Sequence, residues 1–123
     1  MKKQLDTVLV DFEGNEHQFV MQLGTREILK FDELIAEITG NEKANLFNSM
    51  QEIQNGDLKT VLALCLATLK PVNRQGVMDK RGITFSYFDD NFDLFANLPR
   101  MQENLGVLFK DLQVKEDKAD KGK

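Results

Sequence analysis

The spacing of apolar residues near the N-terminus is typical of β-strands. Residues 7–10 are β-branched or leucine, Phe19 and Met21 take alternate positions in the run 17–21, and Gly14 and Asn15 lie between the two runs. Gly and Asn tolerate the positive φ that tight turns require, so this pattern predicts a β-hairpin over about residues 5–23. Phe12, Phe19 and Met21 would form its apolar face. Because an isolated hairpin is marginal in water, we expect that face to pack on the rest of the chain.

From Gly24 onward the apolar residues recur every three or four positions, which predicts helices. The first helix is expected to begin at an N-cap at Thr25 and to end at Gly40. A second helix is predicted over residues 43–54, with four apolar side chains facing inward: Leu46, Phe47, Met50 and Ile53. The third runs from an N-cap at Asp57 to Leu69 and is apolar nearly all round, which is typical of a central helix.

The C-terminal third is less regular. Residues 71–82 are polar and predict an exposed connection. Residues 83–87 alternate like a strand but also keep helical spacing, and this choice stays open. We predict a helix over residues 86–97 that is capped by Ser86, and a last helix from Pro99 to about residue 113. The last helix carries an apolar stripe of Met101, Leu105, Leu108, Phe109 and Leu112.

These elements predict an α+β fold that is mainly α, in which an N-terminal β-hairpin packs on a compact bundle of about five helices. The 123 residues fit one domain, which we place at residues 1–114, with a helical body over about residues 25–113. Residues 115–123 are charged and contain no large apolar side chain, so we expect a disordered tail.

Composition excludes several classes of protein. The 16 basic and 20 acidic residues give a net charge of −4, which argues against a general nucleic-acid binder. The longest apolar stretch, residues 61–69, is too short to cross a membrane, and we see no signal-peptide pattern at the N-terminus. The single cysteine excludes an internal disulfide and fits a reducing compartment. We therefore expect a protein of the cytoplasm.

Candidate catalytic and metal-binding residues are few. The one histidine, His17, lies on the predicted hairpin and is interpreted as an exposed residue, while Cys65 lies in the apolar helix and is interpreted as core. Asp89, Asn91 and Asp93 have the spacing of a calcium loop, but the glycine and the bidentate glutamate that such a loop requires are missing. We expect no catalytic residues, no cofactor and no metal.

Phenylalanine is unusually frequent in the C-terminal third, which holds five of the nine in the chain. One interpretation is that these side chains simply form the core. The other is that one row packs inward while neighbouring residues leave an apolar strip for a helix of another protein. The second interpretation assigns partner binding to Phe92, Leu94, Phe95, Leu98 and Val107.

The order of these parts resembles the tail assembly chaperones of long-tailed bacteriophages and prophages of Gram-positive hosts. The matching segments are the acidic-Gly turn at residues 11–15, the helix start at 25–34, and the Leu-rich helix that ends in Leu-Lys-Pro at 69–71. The similarity is one of layout and covers residues 7–113.

The resemblance implies a protein without enzymatic activity that binds the tape measure protein, recruits tail tube subunits to it and is absent from the mature virion. It also implies a longer form made by ribosomal frameshifting, which the Gly122-Lys123 ending permits. Self-association through the same apolar surfaces is a corollary. The alternatives are a small virion or adaptor protein, such as a head–tail joining or tail-completion component, and a helical transcriptional regulator.

Overall fold

The computed structural model describes the backbone of residues 3–121 and the side chains of residues 3–110. It confirms an α+β fold that is mainly α. Three strands form one antiparallel sheet in the order β1-β2-β3: β1 Gln4–Val10, β2 Glu16–Gln22 and β3 Leu69–Pro71. The α-helices are α1 Thr25–Thr39, α2 Met50–Gln54, α3 Leu58–Thr68, α4 Phe85–Asn91 and α5 Leu94–Lys121. The backbone of α5 continues to Lys121, past the end predicted at about residue 113. The side chains of residues 115–123 are not described, so the disordered tail stays a prediction.

The N-terminal hairpin forms as predicted. Strands β1 and β2 pair from Gln4 opposite Gln22 to Val10 opposite Glu16, and Gly14 adopts a φ of 87° in the turn. Phe19 and Met21 are buried in the core on one face of the sheet. The prediction for Phe12 was wrong, because this residue belongs to the turn instead of the strand and its ring is exposed.

The third strand was not predicted. Helix α3 ends at Thr68, one residue earlier than expected, and Leu69 turns into extended backbone with φ −80° and ψ 129°. Leu69 then pairs with Met21, and Pro71 pairs with Phe19. A proline is tolerated in this edge strand, where it ends the ladder without breaking a central hydrogen bond. The polar connection that follows is largely exposed.

Helices α1 and α3 supply much of the core. Helix α1 ends at Gly40, which adopts a left-handed φ of 76°, as the sequence predicts. Its N-cap is Gly24, one residue before the expected Thr25. In α3 every residue from Thr60 to Thr68 is buried, which confirms its central place. Leu58, in the first turn of α3, is apolar but exposed.

The helix predicted over residues 43–54 is shorter than expected. A 3-10 turn at Phe47–Ser49 precedes α2, and asparagine side chains bind the backbone before it. Asn45 and Asn48 each accept a hydrogen bond from the other's backbone N–H, at 2.8 and 3.0 Å. Such local bonds compete with helix formation. Phe47, which was expected to face inward, is therefore 86% exposed.

The two C-terminal helices begin and end at other residues than predicted. The segment at 83–87 contains the start of α4, and its N-cap is Thr84 instead of Ser86: the Thr84 hydroxyl accepts a hydrogen bond from the Tyr87 N–H. The helix stops at Asn91 because Phe92 is extended and its backbone bridges Asp11. Helix α5 starts at Leu94, which places Pro99 inside this helix and not at its first position.

Helix α5 closes the outer edge of the sheet. The Asn97 side chain accepts a hydrogen bond from the Val10 N–H at 2.8 Å and donates one to the Val10 carbonyl at 2.9 Å. The Arg100 guanidinium donates to the Val8 carbonyl at 3.0 Å. These two side chains take the place of a neighbouring strand along residues 8–10, so this end of the β1 edge is not open for pairing with another chain.

A buried ion pair joins β3 to α1. Lys70 and Glu27 are 1% and 0% exposed, and the Lys70 Nζ lies 3.4 Å from the Glu27 Oε2. Lys70 is on the sheet face opposite to that of its neighbour Leu69, because its strand partner is Val20. Gly82, in the loop that returns from β3, covers the lysine: a Cβ at Gly82 would lie 3.5 Å from the Lys70 Nζ.

We expect Lys70→Met to destabilise the fold by about 3–5 kcal/mol, because it leaves the Glu27 carboxylate buried without its cation. The double variant Lys70→Met with Glu27→Leu removes both charges and should recover most of that loss. Urea unfolding of the two single variants and the double variant measures the difference. If the loss of unfolding free energy in the double variant equals the sum of the losses in the two single variants, this role for the pair is contradicted.

Gly82→Ala should destabilise the protein by about 2–3 kcal/mol, since Gly82 has a φ of 76° and its Cβ would lie 3.0 Å from the Leu69 carbonyl oxygen. Gly76→Ala is the matched control. Gly76 has a φ of 80° but open space around it, so only the conformational cost of about 1 kcal/mol applies. Equal losses of unfolding free energy in the two variants would show that the contact with β3 is unimportant.

Candidate binding surface

Phe92 is the centre of an aromatic cluster and is not available to a partner. Its ring meets His17, Phe19 and Tyr87 edge-on, with centroids 5.2 to 5.9 Å apart, and stacks with Phe88 at 5.8 Å. The residue is 2% exposed. The prediction that Phe92 binds a partner was therefore wrong, because the break between α4 and α5 turns the ring into the core.

The other four predicted binding residues differ in exposure. Leu94 and Leu98 are half-buried against the core, whereas Phe95 is 81% exposed. Val107 is 39% exposed, but it follows Phe95 by twelve residues, which places it about 120° round the helix. Phe95 and Leu98 therefore share one flank of α5, and Val107 lies on another face.

A strip of residues runs along that flank at the spacing i, i+3, i+7, i+11, i+14. We call it the α5 strip, and it comprises Phe95, Leu98, Gln102, Gly106 and Phe109. Leu98 and Phe109 are half-buried and the other three are exposed. Sequence reasoning missed Gln102 and Gly106, and it placed Phe109 only in the core stripe. The signal that could have found them is the regular helical spacing from Phe95 onward.

Gly106 has no structural reason to be glycine within this chain. It lies inside α5 and is not among the glycines with positive φ. Among the residues whose side chains are described, a Cβ built at Gly106 would have no heavy atom within 4 Å, apart from its chain neighbours and the backbone of its own helix. Glycine inside a helix costs roughly 0.5–1 kcal/mol relative to alanine. The α5 strip is thus apolar at its ends and flat near Gly106.

The one histidine binds an aspartate of the hairpin turn. The His17 Nε2 donates to the Asp11 Oδ2 at 2.8 Å, and the Asp11 Oδ1 accepts from the backbone N–H groups of Glu13 and Asn15. The hydrogen bond from His17 is the main cause that lowers the pKa of the Asp11 carboxyl below its usual value, and the Asn15 amide adds to it. This pair fixes the turn. His17 was interpreted as exposed, and its side chain is 40% exposed.

A shallow groove of about 490 Å³ lies beside His17, between the start of β2 and the start of the loop after β3. Tyr87, Arg74 and Asn73 are among the residues that line it, but no serine, threonine or cysteine is. Cys65 is fully buried in α3, as predicted, and burial raises the pKa of its thiol to about 12. The residues that line this groove thus bring no serine, threonine or cysteine nucleophile to the histidine.

Within the described part of the chain, no group of three or more His, Cys, Asp or Glu side chains could hold a metal ion. Asp89, Asn91 and Asp93 instead lie at the end of α4 and in the break before α5.

No helix among the described residues is long and apolar enough to span a membrane. Compared with protein-family models, curated proteins and solved structures, the chain matches none of them. Function must therefore be inferred from the surfaces.

The lowered pKa of Asp11 predicts how stability depends on pH. A carboxyl whose pKa is lower in the folded state stabilises the protein above its unfolded value of about 3.8. That stability is lost as the pH falls below 3.8, through the folded pKa. We expect the urea midpoint to fall between pH 5 and pH 2 less steeply in Asp11→Asn than in the wild type.

Asp6→Asn is the control, because it removes an exposed carboxylate from β1, the strand that precedes the turn. Identical slopes of urea midpoint against pH in Asp11→Asn and the wild type would contradict a contribution from the Asp11–His17 pair.

Proposed function

We propose that this protein is a non-enzymatic tail assembly chaperone of a long-tailed bacteriophage or prophage. In this role it binds the tape measure protein and recruits tail tube subunits to it in the host cytoplasm, and it is absent from the mature virion. The layout of a hairpin, a compact helical body and a charged C-terminus supports the proposal through the resemblance described above.

The observation that carries the proposal is the α5 strip, and Phe95 above all. A phenylalanine that is 81% exposed on a long helix has no packing role in its own chain. Exposed aromatic side chains are typical anchors of protein–protein contacts. An exposed helix flank is suited to receive an apolar helix from another chain, which is the kind of surface that a long helical client offers repeatedly.

The charge of the molecule is consistent with this role. A net charge of −4 keeps a protein with exposed phenylalanines from associating without specificity. Each contact through one short strip is expected to be weak. Many copies on one client would make binding effective, and each copy could still be released when tube subunits arrive.

Co-expression with the tape measure protein encoded in the same genome tests the proposal. We expect this protein to keep the tape measure protein in the soluble fraction and to co-purify with it. Phe95→Asp should weaken that binding roughly tenfold or more, because it removes an exposed aromatic anchor. Aspartate in the first turn of a helix is favourable, so the variant is expected to fold.

Phe47→Asp is the matched control, since Phe47 is equally exposed but lies in the 3-10 turn before α2. It should bind as the wild type does. A tape measure protein that stays insoluble with the wild type, or that binds Phe95→Asp without loss, would contradict the proposal. Recovery of the protein from purified virions by mass spectrometry would favour a virion structural component instead.

A further inference from the structure

Gly106 suggests how closely a partner approaches α5. An alanine at this position would stabilise the helix and would meet only open space in the isolated chain. Neither the backbone conformation nor packing against the described residues therefore accounts for the glycine. One physical use of a helical glycine on an exposed face is to let another backbone come close.

The α5 strip has the dimensions of a helix–helix contact. From Phe95 to Phe109 it extends about 21 Å along the axis, which is four turns of helix. Phe95 and Phe109 stand at its two ends, and Gly106 forms the depression between them. A helix that crosses the strip can approach Gly106 closely only if it has a small side chain at the crossing point.

The described charges around the strip are asymmetric. Asp89 and Asp90 lie in the last turn of α4, and Asp93 immediately precedes α5, so the Phe95 end is acidic. Towards the other end both signs are present, because Glu103 is exposed next to Gln102 and Lys110 is exposed next to Phe109. Charge complementarity therefore favours a partner helix with basic residues at the end that lies beside Phe95.

We propose, building on the proposed function, that the client segment bound by this protein is an amphipathic helix with a small residue at its centre and basic residues at one end. Its centre packs against Gly106. Its apolar side chains contact Phe95, Leu98 and Phe109, and its basic end lies beside the aspartates of the α4–α5 junction.

The test uses two synthetic helical peptides of about 22 residues, the length that spans the strip with a turn to spare at each end. Both carry leucines at the spacing of the strip and lysines at one end, and they differ in having alanine or leucine at the centre. We expect the wild type to bind the alanine peptide roughly tenfold more tightly than the leucine peptide in fluorescence anisotropy. The larger leucine would overpack the close contact at Gly106, and overpacking of this kind raises the dissociation constant by about a factor of ten.

Gly106→Ala should show two effects of opposite sign. Its melting temperature should rise by about 4 °C, because alanine favours the helix. Its affinity for the alanine peptide should fall roughly tenfold, because the added methyl group holds the partner away. Ala96→Leu, which adds bulk to another exposed face of α5, should bind the peptide as the wild type does.

Binding of the alanine peptide that is unchanged or tighter in Gly106→Ala would overturn the inference. A second result would also overturn it: the wild type is a dimer that binds neither peptide, and Gly106→Leu converts this dimer to a monomer. The strip would then bind a second copy of this chain. The peptide assay does not involve the tape measure protein, so it distinguishes failure of this inference from failure of the proposed function.

Discussion

The buried pair of Lys70 and Glu27 constrains how three parts of the chain come together. Neither charge has access to water, so β3, the first turn of α1 and the loop at Gly82 must all reach their places for the pair to be satisfied. A slip of β3 by one residue against β2 would move Lys70 to the face that holds Leu69 and the core. The pair therefore fixes the register of a strand that is only three residues long.

Regular apolar spacing made the hairpin, α1 and α3 predictable, because each has one dominant period and a clear glycine or aspartate at its boundary. The third strand was not predictable, since the side chains of Leu69 and Lys70 look like a continuation of α3 until the pairing with β2 is known. Phe92 fits helical spacing equally well. It is extended where its backbone bridges Asp11 and the His17, Phe19 and Tyr87 rings surround it, and local propensity does not contain these tertiary contacts.

Three faces of α5 have three different tasks. Met101, Leu105 and Leu108 seal the core, Asn97 and Arg100 bind the edge of β1, and the α5 strip faces outward. The first two faces fix the rotation of the helix about its axis. The exposure of Phe95 and Gly106 is thus a consequence of contacts elsewhere on the same helix. Helical spacing alone predicts Phe95 and Leu98 as binding residues. It could not exclude Phe92 or place Val107 on a different face, because those outcomes depend on how the contacts orient the helix.

The closure of β1 by Asn97 and Arg100 also has a consequence for the timing of biosynthesis. A ribosome synthesises the hairpin residues about 75 residues before it reaches these two side chains, which at typical rates of protein synthesis is a delay of several seconds. During that interval Asn97 and Arg100 cannot yet cover the backbone groups of Val8 and Val10. The polypeptide is thus most vulnerable to misassembly early in translation, and its own C-terminal third ends that period.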